Sequence, residues 1–130
     1  MDTADAAQTL RRLATVIDAH RWDAIAELLA EDFVCRLVHT GEEFDGPSWI
    51  RFNADYPGFQ SMTLEDLVGD GERAAARAHV VGVTDGREEH FALAQFATSR
   101  GARLVELVEI WTGLDQAAPA GTRAPGVIVG

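Results

Sequence analysis

Two acidic residues, Glu106 and Glu109, interrupt the apolar pattern of the segment RLVELVEIWTG, residues 103–113, one on each face if the segment is a strand. In a β-strand alternate residues share a face, so Leu107, Glu109 and Trp111 point to the same side. A carboxyl group shielded by leucine and tryptophan has a raised pKa, because burial disfavours its ionised form. Such a group is suited to proton transfer near neutral pH, so Glu109 is the first candidate for a general acid or base. The alternative is a hydrated carboxylate, or one paired with an arginine, at the edge of the fold.

His90 is the candidate partner of this carboxyl group. A tight turn centred on Arg100-Gly101 pairs Ala92 with Glu109 in two antiparallel strands and places His90 diagonally to Glu109. Because histidine titrates near neutral pH, the two side chains could share a proton. The structural alternative is a histidine at the strand end that stacks on Trp111.

A second histidine, His39, could also reach the mouth of the expected site. His39 ends an earlier strand, shares a face with Leu37, and is either a further acid–base candidate or an exposed residue.

The turn at Asp85-Gly86 leaves two alternatives for the strand before it. A two-residue turn places Arg77 and His79 on the face of His90, whereas a three-residue turn with a bulge directs an apolar row inward. We favour the second, which turns inward Ala76, Ala78, Val80 and Gly82.

The elements that position these residues follow from spacing and turn signals. Apolar residues three or four positions apart predict a first helix, which Asp2 or Thr3 could cap, and a second, short helix before residue 30. A strand near residues 33–39 follows, and Pro47 begins a third helix that ends before Pro57. Four long strands are expected at about 60–69, 72–84, 87–98 and 102–112. Helices followed by an antiparallel meander predict an α+β domain.

Composition limits the classes of function. The chain has 130 residues, 47% hydrophobic and 25% charged, which is typical of one soluble globular domain. A net charge of −10 disfavours nucleic acid and anionic membrane surfaces as partners. With a single cysteine, no apolar leader and no membrane-length apolar run, we expect a cytoplasmic protein. The histidine spacing predicts no metal site, and no motif indicates a cofactor.

Several phrases together resemble one family. DAHRWDAIAELLAEDFV, a short strand, GEEFDGPSWIRFN, long strands and RLVELVEIW are similar to a nuclear transport factor 2-like domain, within the SnoaL-like group. The resemblance implies a cone, in which a curved antiparallel sheet wraps around the N-terminal helices and opens to an apolar pocket. It also implies a homodimer through the outer sheet face. The domain is expected over residues 1–114, followed by an Ala/Pro/Gly-rich tail at 115–130.

The resemblance does not carry over the residues of ketosteroid isomerase, a member of the same superfamily. That enzyme uses an aspartate base with a tyrosine and a protonated aspartate. By alignment these positions hold Leu37, Leu13 and Ala94, which neither accept a proton nor stabilise an enolate. Two functions remain: binding of a small apolar molecule, or an isomerase, polyketide cyclase or dehydratase that uses Glu109 on a carbonyl-bearing substrate.

The same alignment puts Leu107, Glu109 and Trp111 on the pocket side of the last strand and Glu106 on its outer face, and it predicts the wall of the pocket. Small residues in one strand leave open volume beneath the helices, and aromatic residues near the third helix either line the pocket or pack in the core. The expected pocket residues are Leu13, Ile17, Leu37, Trp49, Phe52, Tyr56, Ala92, Ala94, Phe96, Leu107 and Trp111.

Overall fold

The computed structural model describes residues 5–115 and 117–122. In this part of the chain two α-helices, a 3-10 helix and six strands follow one another. They are α1 (Ala6–Asp18), the 3-10 helix (Trp22–Leu28), β1 (Leu29–Leu37), β2 (Glu43–Asp45), α2 (Gly46–Asp55), β3 (Phe59–Asp70), β4 (Arg73–Thr84), β5 (Arg87–Arg100) and β6 (Arg103–Gly113). The predicted Asp2 or Thr3 cap and residues 116 and 123–130 of the predicted tail lie outside the described residues.

The strands form one curved sheet in the order β2-β1-β6-β5-β4-β3. β1 runs parallel to β6, and the other neighbouring strands are antiparallel, so the sheet is mixed. Helix α1 lies across the inner face, where Asp18 Oδ1 accepts a hydrogen bond from the Met62 backbone N–H of β3 at 2.8 Å. The predicted α+β cone is confirmed.

Local sequence explains both α-helices. Asp5 caps α1 in a reciprocal capping box with Gln8, and the stripe through Leu10 and Leu13 is buried. The apolar spacing of the first helix extends from Ala6 to His20 in the sequence, but α1 ends at Asp18, and His20 lies beyond it with a positive φ of 57°. Asp45 caps α2 by accepting the Ser48 backbone N–H at 2.9 Å. β2 was not predicted, since three residues are too few to give a periodic pattern.

The β4–β5 turn contains two residues, Asp85 and Gly86, with φ values of 53° and 75°. Both positive angles are typical of a type I′ turn. The predicted three-residue turn is therefore wrong. The inward row is nevertheless right, because Ala76, Ala78 and Val80 are buried.

The β5–β6 register differs from the prediction. Arg100 pairs with Arg103, and a register shift follows at Thr98–Ser99, so that Gln95 instead of Ala92 lies opposite Glu109. The difference of three positions is odd, and an odd difference exchanges the two faces of a strand. The inner face of β5 carries Leu93, Gln95, Ala97 and Ser99, all buried.

Candidate functional site

A cavity of about 480 Å³ lies between the helices and the inner face of the sheet. α1, the 3-10 helix and α2 form one side, and the last four strands form the other. Exposed residues of the β1–β2 connection lie at its rim. The lining residues are Ile17, Trp22, Leu37, His39, Thr40, Glu42, Phe52, Asn53, Tyr56, Phe59, Met62, Val80, Val81, Gly82, Phe91, Leu93, Gln95, Glu109, Trp111, Thr112 and Gly113.

Glu109 is the buried acid of this cavity, with only 3% of its surface exposed. Its carboxyl group receives one N–H on each oxygen: Gln95 Nε2 donates to Oε2 at 2.8 Å, and Trp111 Nε1 donates to Oε1 at 3.2 Å. Burial raises the pKa of Glu109 above 4.5, and these two donors oppose the rise by stabilising the ionised form. The side chain of Glu109 lies on the inner face, where the alignment with the family placed it.

Gln95 is the polar partner that the sequence analysis missed. It is 1% exposed and lies directly opposite Glu109 because of the observed β5–β6 register. Its Nε2 is used by Glu109, whereas its Oε1 is buried and has no hydrogen-bond partner among the described residues. A correct turn length for Gly101-Ala102, with the bulge that follows, would have brought Gln95 to this position.

A family model for the SnoaL-like domain matches residues 10–107, more than half of the chain. The chain belongs to the SnoaL-like family. No curated protein matches its sequence. Among the described residues of this SnoaL-like protein, no helix has both the length and the apolar character needed to cross a membrane.

Solved structures share the fold. A candidate ketosteroid isomerase from Kribbella flavida is 26% identical, covers 95% of this chain and 93% of its own, and has a TM-score of 0.77. IdmH, a candidate polyketide cyclase from Streptomyces antibioticus, is 23% identical over 79% of this chain and 88% of its own, with a TM-score of 0.66. A candidate SnoaL-like polyketide cyclase from Jannaschia sp. is 17% identical over 85% and 90%, with a TM-score of 0.68.

His90 lies on the outer face of the sheet in this SnoaL-like fold, not beside Glu109. Its Nδ1 is 2.7 Å from His79 Nε2, and its Nε2 is 2.8 Å from Glu88 Oε1. The predicted diagonal contact with Glu109 is wrong, because the observed β5–β6 register places even-numbered residues of β5 outside. A role for His90 in the chemistry of the cavity therefore has no geometric support.

His39 lies at the rim of the cavity, as expected for an exposed residue at the end of β1. Its Nδ1 is 3.4 Å from the Trp111 backbone nitrogen. Its role as an acid–base group stays a prediction.

The predicted pocket residues divide into three groups. Five line the cavity: Ile17, Leu37, Phe52, Tyr56 and Trp111. Three are buried in the core without lining it: Leu13, Trp49 and Leu107. Three lie on the outer face of β5, and their predicted position is wrong for the same register reason as His90: Ala92, Ala94 and Phe96.

Cys35 does not provide a nucleophile to this SnoaL-like domain. It is fully buried, and burial together with the nearby Glu109 charge strongly raises the pKa of its thiol. The thiol therefore remains protonated and packs as a small apolar side chain. Among the described residues no group of three histidine, cysteine or acidic side chains is placed to hold a metal ion.

Proposed function

We propose that this chain binds a small, largely apolar molecule in its cavity, with Glu109 as the polar group that orients it. One observation carries the proposal: a buried carboxyl group lies in a cavity whose other lining residues are mostly apolar or aromatic. Ligand cavities of small molecules commonly have this composition, with a few polar groups that fix orientation, and volumes of roughly 300–1,000 Å³. The 480 Å³ cavity falls in that range.

Native mass spectrometry of freshly purified protein tests the proposal, followed by denaturation and identification of any released molecule. A bound apolar molecule of small mass is the expected result. A protein that is empty, and that also fails to take up the neutral apolar dye prodan, would contradict the proposal. If Glu109 orients the ligand, Glu109→Gln changes the affinity for it. Glu31→Gln is the matched control, because it removes the same charge at an exposed position.

Proton transfer by Glu109 is the second candidate function. The observation in its favour is the burial of this carboxyl group in the cavity, which raises its pKa above that of an ordinary glutamate, the direction that acid–base catalysis requires. An isomerase, a polyketide cyclase or a dehydratase acting on a carbonyl-bearing substrate would use such a group. No aspartate lines the cavity in the described part of the chain, so the aspartate-based steroid mechanism has no support.

Substrate turnover distinguishes this second function from binding alone. If Glu109 transfers a proton, Glu109→Gln retains the fold and loses turnover, because glutamine does not titrate. If the carboxyl group only orients a ligand, the same variant changes affinity and no turnover exists to be lost.

We also propose a homodimer formed through the outer sheet face. Phe96 and Ile110 are 44% and 41% exposed there, on neighbouring strands, and paired burial of such side chains would stabilise a dimer. Sedimentation at micromolar concentration tests this: a species near the chain mass of 14.1 kDa would contradict it. A cytoplasmic location stays a prediction from composition.

A further inference from the structure

The charge of the cavity restricts what it binds. Glu42 at the rim and Glu109 inside are its acidic residues, and no arginine or lysine is among the described residues that line it. The whole chain carries a net charge of −10, so the long-range field has the same sign. A carboxylate, sulfonate or phosphate ligand would therefore enter against repulsion without meeting a fixed cation.

Glu109 is a buried carboxyl group without a counter-cation among the described residues. Two N–H groups donate to its carboxyl oxygens, which is the pattern that stabilises an ionised carboxylate. No salt bridge among the described residues includes Glu109. Buried charges in proteins are normally paired, since an isolated one is costly. A positive charge bound in the cavity would pair with the ionised carboxylate and offset the cost of burying it.

The cavity wall supplies a second feature that suits a cation. Six aromatic rings line it, in three edge-to-face pairs with centroid separations of 5.7 to 6.5 Å. The pairs are Trp22–Phe59, Phe52–Tyr56 and Phe91–Trp111. The negative face of an aromatic ring attracts an ammonium group, and several rings around one space form the type of site that binds quaternary ammonium ligands.

We propose that the ligand of this cavity carries an ammonium group, either a protonated amine or a quaternary nitrogen, attached to an apolar body. The ammonium pairs with Glu109, and the apolar body packs on the aromatic rings. The inference rests on the proposed small-molecule function and specifies its ligand class. It is independent of the second candidate function, which concerns carbonyl substrates.

The proton balance of this pairing gives a pH signature. A neutral amine and a protonated Glu109 yield an ammonium–carboxylate pair by moving one proton from carboxyl to nitrogen. A quaternary ammonium has no proton to exchange, so it requires Glu109 to be ionised beforehand and its affinity increases with pH through the titration of Glu109. The other titratable groups in or beside the cavity are Cys35, which stays protonated, Tyr56, and the rim residues His39 and Glu42.

Three probes with one aryl body test the inference by displacement of prodan at pH 8. Benzyltrimethylammonium is the cation, neopentylbenzene is its neutral isostere with carbon in place of nitrogen, and phenylmethanesulfonate is the anion. We expect the cation to bind about tenfold more tightly than the neutral isostere, from its contacts with aromatic rings and carboxylate in a dry cavity. We expect the anion to bind most weakly.

Variants and pH complete the test. Glu109→Gln reduces the preference for the cation, whereas Glu31→Gln leaves it unchanged. In the wild-type protein, affinity for the cation increases between pH 4.5 and pH 8 and affinity for the neutral isostere does not. If the isostere binds as tightly as the cation at pH 8, the ammonium inference is overturned and the small-molecule function stands. If none of the three probes displaces bound prodan, the ammonium inference is overturned. If prodan does not bind either and the purified protein is empty, the small-molecule function is overturned as well.

Discussion

Replacing Glu109 by glutamine is expected to stabilise the folded protein at alkaline pH. Glutamine has the same shape and never ionises, so the cost of a buried charge disappears. The contact with Gln95 is kept: with the Gln95 amide turned by 180°, the new side-chain NH₂ donates to Gln95 Oε1, and Gln95 Nε2 then occupies the buried position that has no hydrogen-bond partner in the described structure. The new carbonyl oxygen still accepts the Trp111 Nε1–H.

The size of the effect follows from the buried charge, because the number of unpaired buried amide atoms does not change. Glu109→Gln is expected to increase the free energy of unfolding at pH 8 by up to about 1.4 kcal/mol for each unit by which burial raises the pKa of Glu109. The pH dependence has a definite sign. The unfolded chain releases the Glu109 proton near 4.5, and the native state retains it to higher pH because of burial. The contribution of Glu109 to the free energy of unfolding is therefore fully present below pH 4.5 and is lost as pH rises through the native pKa. The loss is about 1.4 kcal/mol for each unit between the pKa values of Glu109 in the unfolded and native states.

Urea unfolding of both proteins at pH 4.5 and pH 8 measures the difference. We expect the stability advantage of Glu109→Gln to be present at pH 8 and to become small at pH 4.5, where a protonated Glu109 can itself donate to Gln95. Glu31→Gln, at an exposed position, should change the free energy of unfolding by no more than about 0.5 kcal/mol at either pH. A Glu109→Gln variant that is less stable than wild type at pH 8, or whose difference does not depend on pH, would refute the reasoning.

Two further predictions concern Gln95 and the glycine turns. Gln95→Leu removes an N–H that stabilises the ionised carboxyl group, so the pKa of Glu109 should rise further in a ¹³C NMR titration. An unchanged or lowered pKa would contradict this. Gly58→Ala should be strongly destabilising in thermal unfolding, since φ is +81° and the new Cβ would lie 2.1 Å from Val83 O. Gly86→Ala, with φ +75° and nothing within 4 Å, is its matched control and should lose only the roughly 1–3 kcal/mol of the backbone strain. Equal losses in the two would show that contact with Val83 is unimportant.

The position of Glu109 was predictable because parity within one strand sets its face and the resemblance to the family identifies that face as the pocket side. Alternation alone places Leu107, Glu109 and Trp111 on one side, whichever strand lies beside them. Helix and strand boundaries were also accessible, since Pro57-Gly58, Asp85-Gly86 and the glycine at 101 mark the turns of the chain. These turn signals depend only on neighbouring residues, so tertiary contacts do not change them.

The partners of Glu109 were not predictable by the same means. Pairing across β5 and β6 depends on the exact turn and on a bulge, and neither leaves a distinctive residue pattern. The wrong length of the β5–β6 turn placed Ala92 and His90 on the inner face in the prediction and Gln95 on the outer one. The inward row of β4 was right although its turn was wrong, because the two-residue turn does pair Arg77 and His79 with the face of His90, and that face lies outside.

The central claim is that Glu109 is a buried carboxyl group in an apolar cavity, and its titration tests this most directly. Protein labelled with ¹³C at the glutamate side-chain carboxyl carbon, compared with Glu109→Gln to assign the signal, gives the pKa of this one residue. The account predicts a value above the 4.5 of an ordinary glutamate, because burial outweighs the two N–H donors. A value at or below 4.5 would contradict it, since the carboxyl group would then be hydrated or held mainly by hydrogen bonds.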